Sequence, residues 1–306
     1  MTPAHPFFNK NLEELFGVFD RNLPFRHLVL DSFLDESFCQ GLVENFPSFS
    51  NSNSFNESGL AGGKAVDENL KDIGAQYREF DALLSSVKFR HFLSGITGVH
   101  DLLYDPYYYG GGTHENLSGQ ELDPHIDFNY HPNTGSHRRL NLILYLNKEW
   151  RRNWGGNLEL HSDPRGGDGS VIEIEPIFNR MVIFETTEHS WHGFKRIALP
   201  NELSQMSRKS IALYYYSATR PEAETAAEHS TVYVDRPIPE TINPGQRLTP
   251  DDYHELKRLI TRRDHHISRL YKEKEALTQQ VLRLSSILEK VKRYAGPLLW
   301  IKNLLK

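Results

Sequence analysis

The chain is 306 residues long, which suits one large domain or a domain with an appendage. Hydrophobic residues make up 38% and charged residues 25%, enough for a sizeable core, so global disorder is excluded. A net charge of −5 leaves no electrostatic footprint for nucleic acid, and a single cysteine, Cys39, excludes a disulfide framework and a thiolate-rich zinc site. The opening residues lack the basic start and apolar run of a signal peptide. No stretch approaches the ~18 apolar residues of a membrane span. A soluble, cytoplasmic protein is expected.

Residues 1–100 are mostly helical in texture and read as a support region. Asn11-Leu12-Glu13-Glu14 and Asp35-Glu36-Ser37-Phe38 both resemble helix starts with an acidic first turn, and Arg26 to Asp31 reads as a short strand. Residues 48–63, rich in Ser, Asn and Gly, predict a surface loop. Phe80, Leu83, Leu84 and Val87 recur at helical spacing and predict a core-facing helix over 80–93. From residue 101 the texture changes to short β-runs between Gly, Pro and Asn turns, at 103–109, 122–128, 139–146, 157–161, 171–174, 180–185, 189–194 and 207–217. That spacing predicts a barrel or jelly-roll rather than a parallel sheet. Alternation puts Leu140, Leu142, Leu144 and Leu146 on one face of their strand and Asn141, Ile143 and Tyr145 on the other.

Residues 222–250 are polar and punctuated by proline, a linker by composition. Thr249-Pro250-Asp251-Asp252 then opens a helix. Over 251–295 a heptad follows, with Tyr253, Ile260, Ile267, Lys274, Val281, Leu288 and Ala295 at one core position and Leu256, Arg263, Leu270, Leu277, Leu284 and Val291 at the other. This predicts a coiled coil and a homo-oligomer, interrupted by Lys274 and Arg263; a single helix packed on the preceding domain is the blander alternative. Gly296-Pro297 are expected to stop the helix, leaving an amphipathic tail over 296–306. Residues 251–306 carry a net charge of +6 against −11 for the rest, so contact of the tail with an anionic membrane is an alternative to a solvated dimerisation helix.

The chemistry centres on His125-Ile126-Asp127. Residues two apart on a strand face the same way, so imidazole and carboxylate can reach one metal. His192, in Ser190-Trp191-His192-Gly193, offers a third ligand. Two histidines and one carboxylate form a facial triad with open positions on Fe(II), as an oxygenase requires; zinc is the competing metal but carries no redox chemistry. His189 has the opposite parity to His192, and both cannot face one metal on a regular strand. Downstream, alternation places Arg208, Ser210 and Ala212 on one face and Lys209, Ile211 and Leu213 on the other. An arginine with a hydroxyl two residues on can clamp a carboxylate, and Tyr145 can add a second hydroxyl. Lys209 is the alternative cation, and its facing argues against it.

Several ordered motifs carry a resemblance: His125-x-Asp127, Arg138 to Asn147 (RRLNLILYLN), Trp154-Gly155-Gly156-Asn157, Pro176-x-x-Asn179-Arg180, Ser190-x-His192-Gly193 and Arg208-x-Ser210-Ile211. Over residues 101–218 they resemble the 2-oxoglutarate and Fe(II)-dependent dioxygenases of the prolyl 4-hydroxylase type, and Val29-Leu30-Asp31-x-Phe33-Leu34 is similar to that family's usual opening. The resemblance implies an α+β, mainly β fold. Its core would be a double-stranded β-helix (jelly-roll, cupin-like) over 101–221, with N-terminal helical support and the C-terminal coiled-coil helix appended.

The resemblance further implies that His125, Asp127 and His192 bind Fe(II). Arg208 would pair with the distal carboxylate of 2-oxoglutarate, helped by Tyr145 and Ser210. Tyr107 or Tyr109 would assist from before the His-x-Asp strand, with Tyr109 carried as the assignment. O2 would be the oxidant and ascorbate the reductant that restores oxidised iron. The implied reaction is hydroxylation of an unactivated C–H bond with release of succinate and CO2; a carboxylate at Asp127 favours this over halogenation. A prolyl residue of a protein is the first substrate reading and a small molecule (free amino acid, sugar or lipid-linked precursor) the second. A catalytically idle metal-binding scaffold, with the coiled coil as its working part, is the third. Residues 110–120, opening on Gly110-Gly111-Gly112, are a candidate lid. His114, Glu115, Asn129 and His131 are candidates for lining the substrate mouth or for solvated loop positions.

Overall fold

A computed structural model describes residues 5–48, 65–165, 169–239 and 241–304, with side chains as far as residue 293. Most of the loop expected over 48–63, and the side chains of the 296–306 tail, therefore lie outside the described residues. Contacts divide the chain into two units, Met1–Val234 and Asp235–Lys306.

The first unit opens with helices α1 (Leu12–Arg21) and α2 (Glu36–Glu44), separated by β1 (His27–Leu30). Both helices start at the expected caps: Asn11 Oδ1 accepts from Glu13 N at 3.1 Å, and Asp35 Oδ1 from Phe38 N at 3.1 Å. After β2 (Ala65–Asp67) come α3 (Leu70–Ile73), α4 (Ala75–Ser85) and α5 (Val87–Thr97). The single helix expected over 80–93 is thus two helices. Ser86 is extended (ψ 146°) and its Oγ accepts from Phe89 N at 3.1 Å. A serine that caps a new helix competes with continuation of the old one. The break turns Val87 outward, 58% exposed, while Phe80, Leu84 and Phe89 stay buried.

The remaining strands are β3 (Leu103–Tyr104), β4 (Gly112–Asn116), β5 (Leu122–Ile126), β6 (His137–Tyr145), β7 (Leu158–His161), β8 (Val171–Ile174), β9 (Arg180–Glu185), β10 (Trp191–Phe194), β11 (Arg208–Ser217) and β12 (Val232–Tyr233). Among the described residues they form a seven-stranded sheet in the order β1-β9-β6-β11-β4-β2, with β3 also on β11, and a five-stranded sheet in the order β12-β5-β10-β7-β8. Neighbouring strands pair antiparallel. This is a double-stranded β-helix.

The two faces of the larger sheet have separate jobs. Leu140, Leu142, Leu144, Ile211 and Leu213 pack against Phe33, Phe38, Phe80, Phe89 and Phe92, so the helices cover one face. Each such leucine contributes about 2 kcal/mol by leaving water. On the opposite face Tyr145, Val182 and Phe184 meet Leu158, Leu160 and Ile174 of the smaller sheet and form the barrel interior. Trp150, Trp154, Phe194 and Ile197 form a further cluster.

Two segments differ from expectation. The candidate lid at 110–120 contains β4, which pairs with both β11 and β2. Gly112 has φ +84°, and a Cβ there would lie 2.0 Å from the Asp67 carbonyl, so the glycine serves close strand approach rather than mobility. The polar segment from 222 contains β12, which adds to the edge of β5, with Val232 opposite Ile126 and Tyr233 opposite His125.

The second unit contains α6 (Pro250–Leu304). Thr249 Oγ1 accepts from Asp252 N at 3.1 Å and Asp252 Oδ2 from Thr249 N at 2.9 Å, a reciprocal cap. The helix continues through Gly296-Pro297 instead of stopping there. A proline removes one donor and crowds one carbonyl, a local cost of ~3 kcal/mol that a long, already nucleated helix can carry. Heptad positions Ile260, Ile267, Leu270, Leu277, Val281, Leu284, Leu288 and Val291 are exposed along it. Among the described residues, no helix is long and apolar enough to cross a membrane.

Candidate active site

His125 on β5 and His192 on β10 are direct cross-strand partners, with ring centroids 4.2 Å apart. Asp127 lies just past the end of β5. Its Oδ1 is 3.6 Å from His125 Nε2 and its Oδ2 3.5 Å from His192 Nε2, and ligand atoms of all three residues lie within 4.8 Å of one another. His125 Nδ1 is 2.9 Å from the Asp123 carbonyl and His192 Nδ1 2.9 Å from the Ser190 carbonyl. A carbonyl only accepts, so each Nδ1 carries the proton, which in the neutral ring leaves the Nε2 lone pair free for a metal. Burial, then the neighbouring His125, pushes His192 down to about 3, which keeps it in the neutral, ligating form. Burial opposes the charge on Asp127, but the Arg138 guanidinium beside it holds its carboxyl well below the usual carboxylate range. The donor set of two imidazoles and one carboxylate fits non-haem Fe(II).

A second cluster lies deeper in the barrel. Arg208 and Ser210 project from β11, and Ser210 is directly opposite Tyr145 of β6. Arg208 is 4% exposed; its Nε donates to the Gly156 carbonyl at 2.7 Å and an Nη to Tyr145 Oη at 3.1 Å. Gly156 has φ +69°, and a Cβ there would stand 3.2 Å from Arg208 Cδ, so the Gly155-Gly156 pair lets the main chain come close to this arginine. Burial lowers the pKa of Arg208 and raises that of Tyr145. Among the described residues Arg208 has no carboxylate within ion-pair distance, so a buried cation is left for an acidic ligand. The guanidinium stacks 4.4 Å over Phe194, two residues along the same strand from His192. Two residues of strand span about 7 Å, the scale of a five-carbon dicarboxylate reaching from metal to guanidinium.

The other sequence candidates are distributed as follows. Lys209 faces away from the barrel and pairs with Glu115 at 2.9 Å, so neither belongs to the cavity. His189 is exposed and bonds through its main chain: its N donates to Thr187 Oγ1 at 3.1 Å and its carbonyl accepts from Trp191 N at 2.9 Å. Tyr109 is not among the contacts of Arg208; its ring packs edge-on against Phe128 at 5.5 Å and lies 6.0 Å from His131, near the metal end. His131 is a core residue, 2% exposed, with Nε2 3.3 Å from Asp105 Oδ1, and not part of a mouth. Asn129 is a tether: its amide donates to the Ala227 carbonyl at 2.8 Å and its Oδ1 accepts from His229 N at 3.0 Å. His114, opposite Ser210, shares the barrel-facing side of its strand with Asn116, opposite Arg208.

Sequence reasoning did not single out Tyr233, whose ring stacks on His125 at 5.2 Å, nor the partners of Asp127. Asn141 donates to Asp127 Oδ2 at 2.7 Å, and Arg138 stands 3.1 Å from the same oxygen. Asn141 was findable, being the polar residue on the inward face of an otherwise apolar strand.

Residues 111–216 match the 2OG-Fe(II) oxygenase superfamily. The chain carries a 2OG-Fe(II) oxygenase domain. Around that oxygenase domain the chain is 26% identical over 235 residues to mouse prolyl 3-hydroxylase OGFOD1, covering 71% of this chain and 36% of the mouse protein. It is 27% identical over 116 residues to the Xenopus laevis protein of the same name, covering 35% of this chain and 22% of the frog protein. The chain therefore spans well under half the length of these relatives. Among solved structures, a prolyl hydroxylase from Trichoplax adhaerens, in complex with a hypoxia inducible factor peptide fragment, has a TM-score of 0.48 and 19% identity, covering 70% of this chain and 94% of that one. A prolyl 4-hydroxylase from Phytophthora capsici has a TM-score of 0.45 and 19% identity, covering 84% of this chain and 73% of that one. Within the matched residues lie the His125, Asp127 and His192 group, whose ligand atoms could hold a metal ion, and the buried Arg208.

Proposed function

We propose that this chain is an Fe(II)- and 2-oxoglutarate-dependent hydroxylase that acts on a prolyl residue of a protein. One observation carries the reading: a His-Asp-His set with both histidines buried, and a buried arginine with no carboxylate at ion-pair distance among the described residues, share one barrel interior. The names of the mouse and frog relatives support a prolyl substrate. Bound Fe(II) supplies O2 activation, coupled to oxidative decarboxylation of 2-oxoglutarate to succinate and CO2, with ascorbate as the reductant that keeps the metal ferrous. The chain's own contribution is positional. Arg208, Tyr145 and Ser210 hold the distal carboxylate, and His125, Asp127 and His192 hold the metal. Phe184 and Phe194, both buried, keep water from the space between.

The test is incubation with Fe(II), 2-oxoglutarate, ascorbate and O2 against a library of proline-containing peptides. Succinate release is measured, and products are searched for the mass gain of one oxygen atom. Stimulated succinate release with oxygen on the proline ring supports the reading, and the product's fragmentation assigns the carbon. Turnover stimulated only by free amino acids, sugars or lipid precursors replaces the prolyl substrate with a small molecule.

We also infer that α6 pairs with α6 of a second copy, because its heptad positions Leu270, Leu277, Val281, Leu284, Leu288 and Val291 form an exposed apolar seam broken only at Lys274.

A further inference from the structure

The partners of Asp127 owe their places to an irregularity in β6. Leu140 pairs with Tyr215 and Arg138 with Tyr216, so Arg139 is an extra residue on the β6 side. By simple alternation Arg138 would share the helix-covered face of Leu140. The bulge re-aims it into the barrel, which is what such bulges commonly do beside active sites. Arg138 is 1% exposed there. Its guanidinium lies 3.5 Å from the Tyr214 ring centre and 4.5 Å from that of Phe128, sandwiched between two aromatic faces. Its Nε donates to Asn141 Oδ1 at 2.9 Å, and Asn141 Nδ2 donates to Asp127 Oδ2 at 2.7 Å. An Arg138 Nη stands 3.1 Å from that same oxygen. Two hydrogen bonds and one ion pair join the three side chains in a ring around one carboxylate oxygen.

Resting on the metal-site reading above, we infer that Arg138 and Asn141 are positioning residues for Asp127. They occupy Oδ2 so that Oδ1 alone is presented to the metal. A carboxylate held by one oxygen leaves the remaining positions open for 2-oxoglutarate and O2, whereas one free to swing to bidentate binding closes a position. The bulge at Arg139 is the backbone device that makes this clamp.

The experiment titrates the metal-free full chain with Co(II), without 2-oxoglutarate, and records the visible d–d spectrum and the dissociation constant. Arg138→Gln, Arg138→Lys, Asn141→Ala, His192→Ala and Arg139→Gln are measured beside the wild type, with circular dichroism melts to verify folding. The inference predicts that Arg138→Gln and Asn141→Ala weaken Co(II) about 10- to 100-fold, the range for loss of a group that orients a ligand, and alter the band shape. Arg138→Lys keeps the charge but not the fork, and falls between. Arg139→Gln, whose native side chain reaches Glu185 and Glu224 instead, binds as the wild type does. If Arg138→Gln fails to fold, Asn141→Ala alone decides. Affinities within twofold of wild type and an unchanged spectrum in the folded variants overturn the clamp while leaving the metal site standing. No Co(II) binding by the wild type overturns the metal-site reading itself and the clamp with it.

Discussion

On the proposed function, co-substrate affinity is concentrated at Arg208, because its charge is buried and, among the described residues, no carboxylate lies within ion-pair distance. Charge-assisted hydrogen bonds are worth about 1.5–3 kcal/mol each, so Arg208→Ala is expected to weaken 2-oxoglutarate binding by on the order of 100-fold. Arg208→Lys, which loses the fork but keeps the charge, is expected to cost about tenfold. Tyr145→Phe removes one neutral hydroxyl and should cost about fivefold. Isothermal titration of the metal-loaded protein with 2-oxoglutarate reads all three; equal affinity in Arg208→Ala contradicts the assignment. These residues were legible in the sequence because strand parity alone sorts Arg208, Ser210 and Tyr145 from Lys209, Ile211 and Leu144. Arg138 was not, because parity fails at a bulge and nothing in Arg138-Arg139 marks which residue is the extra one. The tyrosine triplet was equally opaque: Tyr108 at φ 51° interrupts the alternation that would have oriented its neighbours.

Elements with strong periodicity were legible, and those made by tertiary contacts were not. The leucine alternation of β6 and the caps at Asn11 and Asp35 reported their structure directly. β12 has only two residues and lies in a polar, proline-punctuated stretch, so no alternation could reveal it; its place comes from pairing with β5 and from tethers to Asn129 and Tyr130. Asn129→Ala removes both side-chain bonds to this segment. It is expected to speed hydrogen exchange at the His229 amide and to cost about 1 kcal/mol of stability. Unaltered exchange at His229 would show that β12 pairing and the Tyr130 tether hold the segment without Asn129. At the other end, Phe7 stacks on Phe33 at 4.2 Å and meets Phe92 at 4.8 Å, fully buried. Phe7→Ala should therefore cost about 3–5 kcal/mol in denaturant unfolding, despite lying close to the chain terminus.

Across the whole molecule, two buried histidines, His27 and His5, add to the acid sensitivity that His192 confers on the metal-free protein. His27 is 4% and His5 5% exposed, and burial lowers the pKa of each below the ordinary 6.5. The unfolded chain takes up these protons near pH 6.5 while the folded one resists, so stability is greatest above that pH and is lost progressively below it. The melting temperature of metal-free protein should fall as pH drops from about 7 to about 5, and His27→Gln should flatten the slope. The exposed α6 seam makes a separate prediction: Leu277→Asp with Leu284→Asp should reduce the sedimentation mass of the full chain to that of a monomer. An unchanged mass would remove the paired helix from the account.

The central claim is that one barrel interior holds Fe(II) at one end and 2-oxoglutarate between the metal and Arg208. The direct measurement is the visible metal-to-ligand charge-transfer band, recorded anaerobically as metal-free protein receives Fe(II) and then 2-oxoglutarate. The account predicts a band in the wild type, none in His192→Ala, and one in Arg208→Ala that appears only at much higher 2-oxoglutarate. No band in the wild type, with metal analysis showing that iron is not retained, would contradict it.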